Sequence, residues 1–140
     1  MSNTNIKPFN CSVITPSGPI VRSIKIEHIE IPCHTGYVSI HANHCPYIVS
    51  INYGELRIYD EEENLINMYV EGGIAEMSHN SIVVLVEKAC LVKDINPDDI
   101  KQKINELAQI ESINDEETKR IHLQLEKYKK QLELAKDKIV

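Results

Sequence analysis

The sequence predicts a β domain of sandwich or barrel type followed by a pair of α-helices. Three observations carry this reading. Apolar residues recur with period two up to about residue 92, and with heptad spacing near the C-terminus. All five glycines, Gly18, Gly36, Gly54, Gly72 and Gly73, lie in the first part. Charge changes at the same place: residues 1–92 hold 5 Lys and Arg against 10 Asp and Glu, whereas residues 93–140 hold 10 against 11. The expected domains are therefore a β domain over 1–92 and a helical hairpin over 93–140. A chain of 140 residues can bury a sizeable core. With one Phe and no Trp, that core must be aliphatic.

The β elements follow from alternation and turn chemistry. Ile24 and Ile26 alternate with Lys25 and Glu27, Leu56 and Ile58 with Glu55 and Arg57, and Ile66, Met68 and Val70 with Asn67 and Tyr69. Such alternation buries one face and wets the other. The parity slips between Ile26 and Ile29, which predicts a β-bulge near Glu27–His28. Thr15-Pro16-Ser17-Gly18 suits a type I turn, with Pro second and Gly fourth. Asp60–Asn64 reads as a polar hairpin tip, and Ser78-His79-Asn80 as the turn before the β-branched run Ile82-Val83-Val84. Gly18, Gly36, Gly54 and Gly72 fall 18 residues apart, but the segments between them share no pattern, so they mark evenly spaced turns.

Asn96-Pro97 opens the first helix: Asn is a good N-cap and Pro is favoured at the first helical position. Asp98 and Asp99 sit at the positive end of its dipole, and Ile100, Ile104 and Leu107 form its stripe. Asn114 to Glu117 opens the second helix in the manner of a capping box. Its seam is Ile121, Leu125, Tyr128, Leu132, Ala135 and Ile139. The short connection at Glu111–Ile113 folds the helices back as an antiparallel hairpin.

Composition excludes several functions. A net charge of −6 lacks the basic footprint of a general nucleic-acid binder. The longest wholly aliphatic run, Ile82–Val86, is far short of the ~18 residues of a membrane span. Residues 1–8 carry one Lys and no apolar stretch, so no secretory leader is expected, and Cys11, Cys33, Cys45 and Cys90 read as reduced thiols. The cluster Cys33-His34, His41, His44-Cys45 is the densest set of potential zinc ligands, although its spacing matches no standard pattern. A metal-binding β module using His41, His44 and Cys45 is therefore the alternative reading. The sequence has no phosphate-binding glycine loop and no nucleophile elbow. A Cys–His enzyme using Cys33 or Cys45 would need an activated thiolate, for which nothing in the sequence supplies a partner. No enzyme, cofactor or metal is expected. Gly72-Gly73 reads as a bulge or a close backbone approach. Arg120, Lys127, Lys129 and Lys130 on the second helix are either a solvated face or a handle for an acidic surface.

Four segments in order resemble one family, the epsilon subunit of bacterial F-type ATP synthase, whose mitochondrial homologue is delta. They are Val13–Gly18; Ile31–Pro46, where Pro32, Gly36, Ile40, His44 and Pro46 match the family's P-G-x-x-G-x-x-G-I-L-x-x-H-A-P pattern; Val70–Glu76; and Ile82–Ala89. The resemblance implies a flattened β-sandwich of about ten strands and a C-terminal antiparallel two-helix hairpin. It implies a non-catalytic subunit of the central rotor, on the cytoplasmic face of the bacterial inner membrane and peripheral to it. Its partners would be the gamma subunit and the c-ring, with the alpha/beta catalytic head reached through the hairpin. The subunit would couple proton-driven ring rotation to ATP synthesis, and the hairpin would inhibit hydrolysis. The loop from Tyr37 to His44, with Tyr37, Val38, His41, Ala42, Asn43 and His44, would form the ring or gamma contact. Arg120, Lys127, Lys129 and Lys130 would be regulatory contacts. Tyr37 stands where the family often has Glu. The family's nucleotide motif I-D-x-x-R-A is replaced here by Ile95-Asn96-Pro97-Asp98-Asp99-Ile100.

Overall fold

The computed structural model describes residues 7–42 and 46–137. The chain divides into two compact units, Met1–Cys90 and Leu91–Val140. Among its described residues the first holds seven strands: β1 (Phe9–Thr15), β2 (Gly18–Cys33), β3 (Gly36–His41), β4 (Tyr47–Ile51), β5 (Gly54–Asp60), β6 (Leu65–Ser78) and β7 (Ser81–Leu91), the last running one residue past the division. Their order is β1-β7-β6-β5-β2-β3, with β4 on β6, and β1 also pairs β2. That extra pairing closes the path into a sandwich with few open edges.

The strand count is seven, not about ten, because long strands each do the work of two. The first half of β2 pairs β1 from Gly18 to Ile26, and the second half pairs β5 and β3. Likewise β6 pairs β5 from Leu65 to Val70 and β4 from Gly73 to Met77. The expected bulge is present: Ile26 opposes Asp60 and His28 opposes Tyr59, which leaves Glu27 as the extra residue. A second irregularity had no sequence signal. Between the pairs Cys11–Ile24 and Val13–Val21, β2 has one residue too many, and Ser23 takes a positive φ of 41°. Its backbone N–H donates instead to Ser12 Oγ at 2.9 Å.

The turns follow their residues. Thr15 Oγ1 accepts from the Ser17 N–H at 3.2 Å and donates to the Gly18 carbonyl at 3.0 Å. Asp60 Oδ1 accepts from the N–H groups of Glu62 and Asn64, both at 2.9 Å. His79 and Asn80 have φ of 51° and 61°, the two positive values of a type I′ hairpin. Between the layers lies an aliphatic core: Val13, Ile26, Ile29, Ile31, Leu56, Ile58, Met68, Val70, Ile82 and Val84 are all fully buried. Phe9 and Cys11 join them.

The second unit contains a 3-10 turn (Val92–Asp94), α1 (Pro97–Ala108) and α2 (Asp115–Asp137). Asn96 caps α1 by accepting from the N–H groups of Asp98 and Asp99. Asn114 Oδ1 accepts from the Glu117 N–H at 2.8 Å. The two helices pack together, with Lys103 of α1 6.0 Å from the Tyr128 ring centroid on α2. Leu134 and Ala135 are buried, while Ile121, Leu125, Tyr128 and Leu132 are half-buried. Ile139 lies outside the described residues. Among the described residues, no helix is long and apolar enough to cross a membrane.

Candidate functional site

The segment expected as a contact loop is in its first part a strand. Tyr37, Val38 and His41 lie on β3, at one end of the strand order. Its register on β2 sets the faces: Ile40 opposes Ile29, Ser39 opposes Glu30, and His41 opposes His28. Ile40 turns inward and is buried, whereas Tyr37, Ser39 and His41 are exposed. Ala42 follows the strand and is half-buried. Asn43, His44 and Cys45 lie outside the described residues.

On the outer face, β3, β2, β5 and β6 bring together groups far apart in sequence. The imidazole of His28 stacks on Tyr59, with centroids 4.2 Å apart, and on His41 at 5.0 Å. His41 Nε2 shares a hydrogen bond of 3.3 Å with Ser39 Oγ. In the next rows, Arg57 donates through Nε to Glu55 at 2.8 Å and through Nη1 to Glu30 at 3.2 Å. Glu30 also accepts from the Tyr59 hydroxyl at 3.3 Å, and Glu55 accepts from Asn67 at 2.8 Å. The Arg57 guanidinium carbon lies 5.1 Å from the Tyr37 ring centroid. The hydrogen bond to Glu55 raises the Arg57 pKa further above its usual value, against the opposing effect of burial. Sequence reasoning named Tyr37 and His41 but missed Arg57, Glu30 and Tyr59. The signal available was that Arg57 and Tyr59 flank Ile58, and His28 and Glu30 flank Ile29, so all four take the parity opposite to an apolar position.

Among the described residues, no group of three His, Cys, Asp or Glu side chains is arranged to hold a metal. His41 is committed to its stack and to Ser39, and the other two ligands of the metal reading, His44 and Cys45, lie outside the described residues. Neither Cys11 nor Cys33 is activated for nucleophilic chemistry. Burial pushes Cys11 up to about 12 and also raises Cys33, the opposite of activation. Cys33 donates to the Ile31 carbonyl at 3.5 Å.

The candidate regulatory residues lie along α2. Arg120 and Lys127 line a cleft of about 500 Å³ between α1 and α2, with Leu107, Ile121, Leu123, Gln124 and Glu117. Arg120 and Lys129 are exposed, and Lys130 lies 3.6 Å from Glu133.

Comparisons with known proteins agree with this architecture. The family model "ATP synthase, Delta/Epsilon chain, beta-sandwich domain" matches residues 8–92. An ATP synthase epsilon chain of Leptospira borgpetersenii serovar Hardjo-bovis is 30% identical over 116 residues, covering 83% of this chain and 87% of that one. A chloroplastic ATP synthase epsilon chain of Solanum lycopersicum is 36% identical over 96 residues, covering 69% of this chain and 71% of its own. Among solved structures, a chain of the Euglena gracilis mitochondrial ATP synthase, OSCP/F1/c-ring, superposes with a TM-score of 0.75 at 15% identity, covering all of this chain and 87% of that one. A chain of the Tetrahymena thermophila mitochondrial ATP synthase central stalk and c-ring gives 0.66 at 11% identity, covering 92% of this chain and 99% of its own. By the family match over its β-sandwich and by this degree of identity, the chain belongs to the ATP synthase delta/epsilon family.

Proposed function

We propose that the chain is a non-catalytic rotor subunit of an F-type ATP synthase, peripheral to the cytoplasmic face of the membrane. It couples rotation of a c-ring to ATP synthesis through contacts with the ring and a gamma subunit. The observation that carries this reading is the match of residues 8–92 to the family, on a domain whose candidate site is an exposed edge strand. Tyr37, Val38, His41 and Ala42, with Asn43 and His44, form the proposed ring or gamma contact. Side chains there serve a contact better than chemistry. The carboxylates of Glu30 and Glu55 are bonded to Arg57, Tyr59 and Asn67.

The boundary at residue 92 is proposed as functional: residues 1–92 hold the rotor contact, and residues 93–140 regulate. Arg120, Lys127, Lys129 and Lys130 are the proposed contacts of the hairpin with an acidic surface of the catalytic head. The test is ATP hydrolysis by the assembled complex, with the full chain and with a chain ending at Val92. Both chains should co-purify with gamma and the ring. Hydrolysis should be higher with the shorter chain. Failure of both to co-purify refutes the rotor reading; equal hydrolysis refutes the regulatory role alone.

A further inference from the structure

Tyr37 is 48% exposed, yet its ring is held from beneath. The Arg57 guanidinium lies against it at 5.1 Å, and that guanidinium is itself fixed by Glu55 at 2.8 Å and Glu30 at 3.2 Å. Both carboxylates are consumed within the sheet face, since Glu30 also accepts from Tyr59 and Glu55 from Asn67. Residues 34–41 contain no Asp, Glu, Lys or Arg. The strand therefore presents a pre-oriented aromatic ring backed by a buttressed cation, with no formal charge of its own directed outward.

We propose that Tyr37 is the specificity-determining anchor of the β3 contact, that Arg57 is its positioning residue, and that the surface it meets is an uncharged segment of the ring partner. This inference rests on the rotor reading. A Tyr fixed in advance loses little rotamer freedom on docking, and such residues dominate interface energetics. An acidic side chain at position 37 would instead call for a cation on the partner. With Tyr at 37 the contact depends on ring burial, which salt screens little.

The experiment measures binding of the full chain to a rotor complex of ring and gamma subunit lacking it, at about 50 and about 500 mM KCl. Tyr37→Ala should weaken binding by about tenfold or more, and by the same factor at both salt concentrations. Tyr37→Phe should keep most of the affinity. Arg57→Met should weaken binding several-fold beside Tyr37 and have no further effect beside Ala at position 37, while Arg57→Lys restores part of the loss. A purely structural Arg57 would weaken binding equally in both backgrounds, which overturns its positioning role. An unchanged Tyr37→Ala variant, or a loss confined to low salt, overturns the anchor. If the unaltered chain does not bind at all, the rotor reading itself is refuted, so the two failures are distinguishable.

Discussion

Gly73 is the position where the backbone leaves least room. It sits within β6 opposite Ile51 of β4, with φ of +151°. A Cβ built there would lie 1.9 Å from the Leu85 carbonyl oxygen of β7, and 2.9 Å from both Leu85 C and Val86 Cα. These are backbone atoms of a paired strand and cannot rotate away. Reaching ordinary contact at 3.4 Å means separating β6 from β7 locally by about 1.5 Å. A ladder hydrogen bond stretched that far is broken, and each buried group left unpaired costs about 1–3 kcal/mol. The positive φ adds about 1–3 kcal/mol for any side chain. Gly73→Ala should therefore cost about 2–6 kcal/mol.

Gly18 supplies the control. Its φ is +125°, but a Cβ there meets nothing within 4 Å. Gly18→Ala should carry the dihedral term alone, about 1–3 kcal/mol. The assay is urea unfolding of the full chain followed by circular dichroism in the strand region. With a slope of about 1–1.5 kcal/mol/M for a unit of this size, Gly18→Ala shifts the midpoint by about 1–2 M. Gly73→Ala removes most of the stability that a small domain possesses. Equal shifts for the two variants would refute the close approach of β6 to β7.

Three further outcomes follow from the structure. Hydrogen bonds from the backbone N–H groups of Asn64 and Glu62 hold Asp60 below its ordinary carboxylate value of 3.8, so it stabilises the fold at neutral pH and that contribution is lost as pH falls below 3.8 through the folded value; the acid loss of stability should be shallower in Asp60→Asn, and identical acid profiles would contradict the turn geometry. ATP should not bind usefully, because Asn96 already occupies the α1 N-terminal N–H groups and Asp98 and Asp99 add negative charge; calorimetric 1:1 binding tighter than about 1 mM, or about −4 kcal/mol, would overturn this. Replacing Lys127, Lys129 and Lys130 together with Gln should raise hydrolysis by the assembled complex, more at low ionic strength than at high, since single exposed pairs contribute only about 0.2–1 kcal/mol; no change at either ionic strength would leave them a solvated face.

Local chemistry made part of this structure legible in advance. The cap at Asn96, the polar tip at Asp60–Asn64 and the bulge at Glu27 each depend on a few adjacent residues whose hydrogen bonds or parity are fixed by type. The second β2 irregularity did not announce itself, because Ser23 is an ordinary residue whose positive φ is held by a hydrogen bond to Ser12, eleven positions away. The strand count failed for a related reason. Bulges and the Gly72-Gly73 bend let a strand cross between layers without stopping, so the junctions within β2 and β6 carry no turn sequence. At the candidate site, Tyr37 and His41 were legible by resemblance. Arg57 was not, because its bond to Glu30 spans 27 positions and exists only through the register of β2 on β5.

The edge position of β3 gives the candidate face its significance. A terminal strand exposes a row of unpaired backbone groups, and soluble proteins usually blunt such a row with charged side chains or proline. β3 has neither between Gly36 and His41. The charges lie instead one and two strands inward, on Glu30, Arg57 and Glu55, where they neutralise one another. A face whose ions are mutually satisfied and whose rim is aromatic and uncharged has little electrostatic reason to remain in water. Burial of Ile40 and Ile31 on the opposite side fixes the register that holds Tyr37, Ser39 and His41 outward. A one-residue slip would exchange the two sets and destroy the core and the outer face together. Stability of the sandwich and presentation of this outer face are thus the same constraint, imposed by the alternation of six residues.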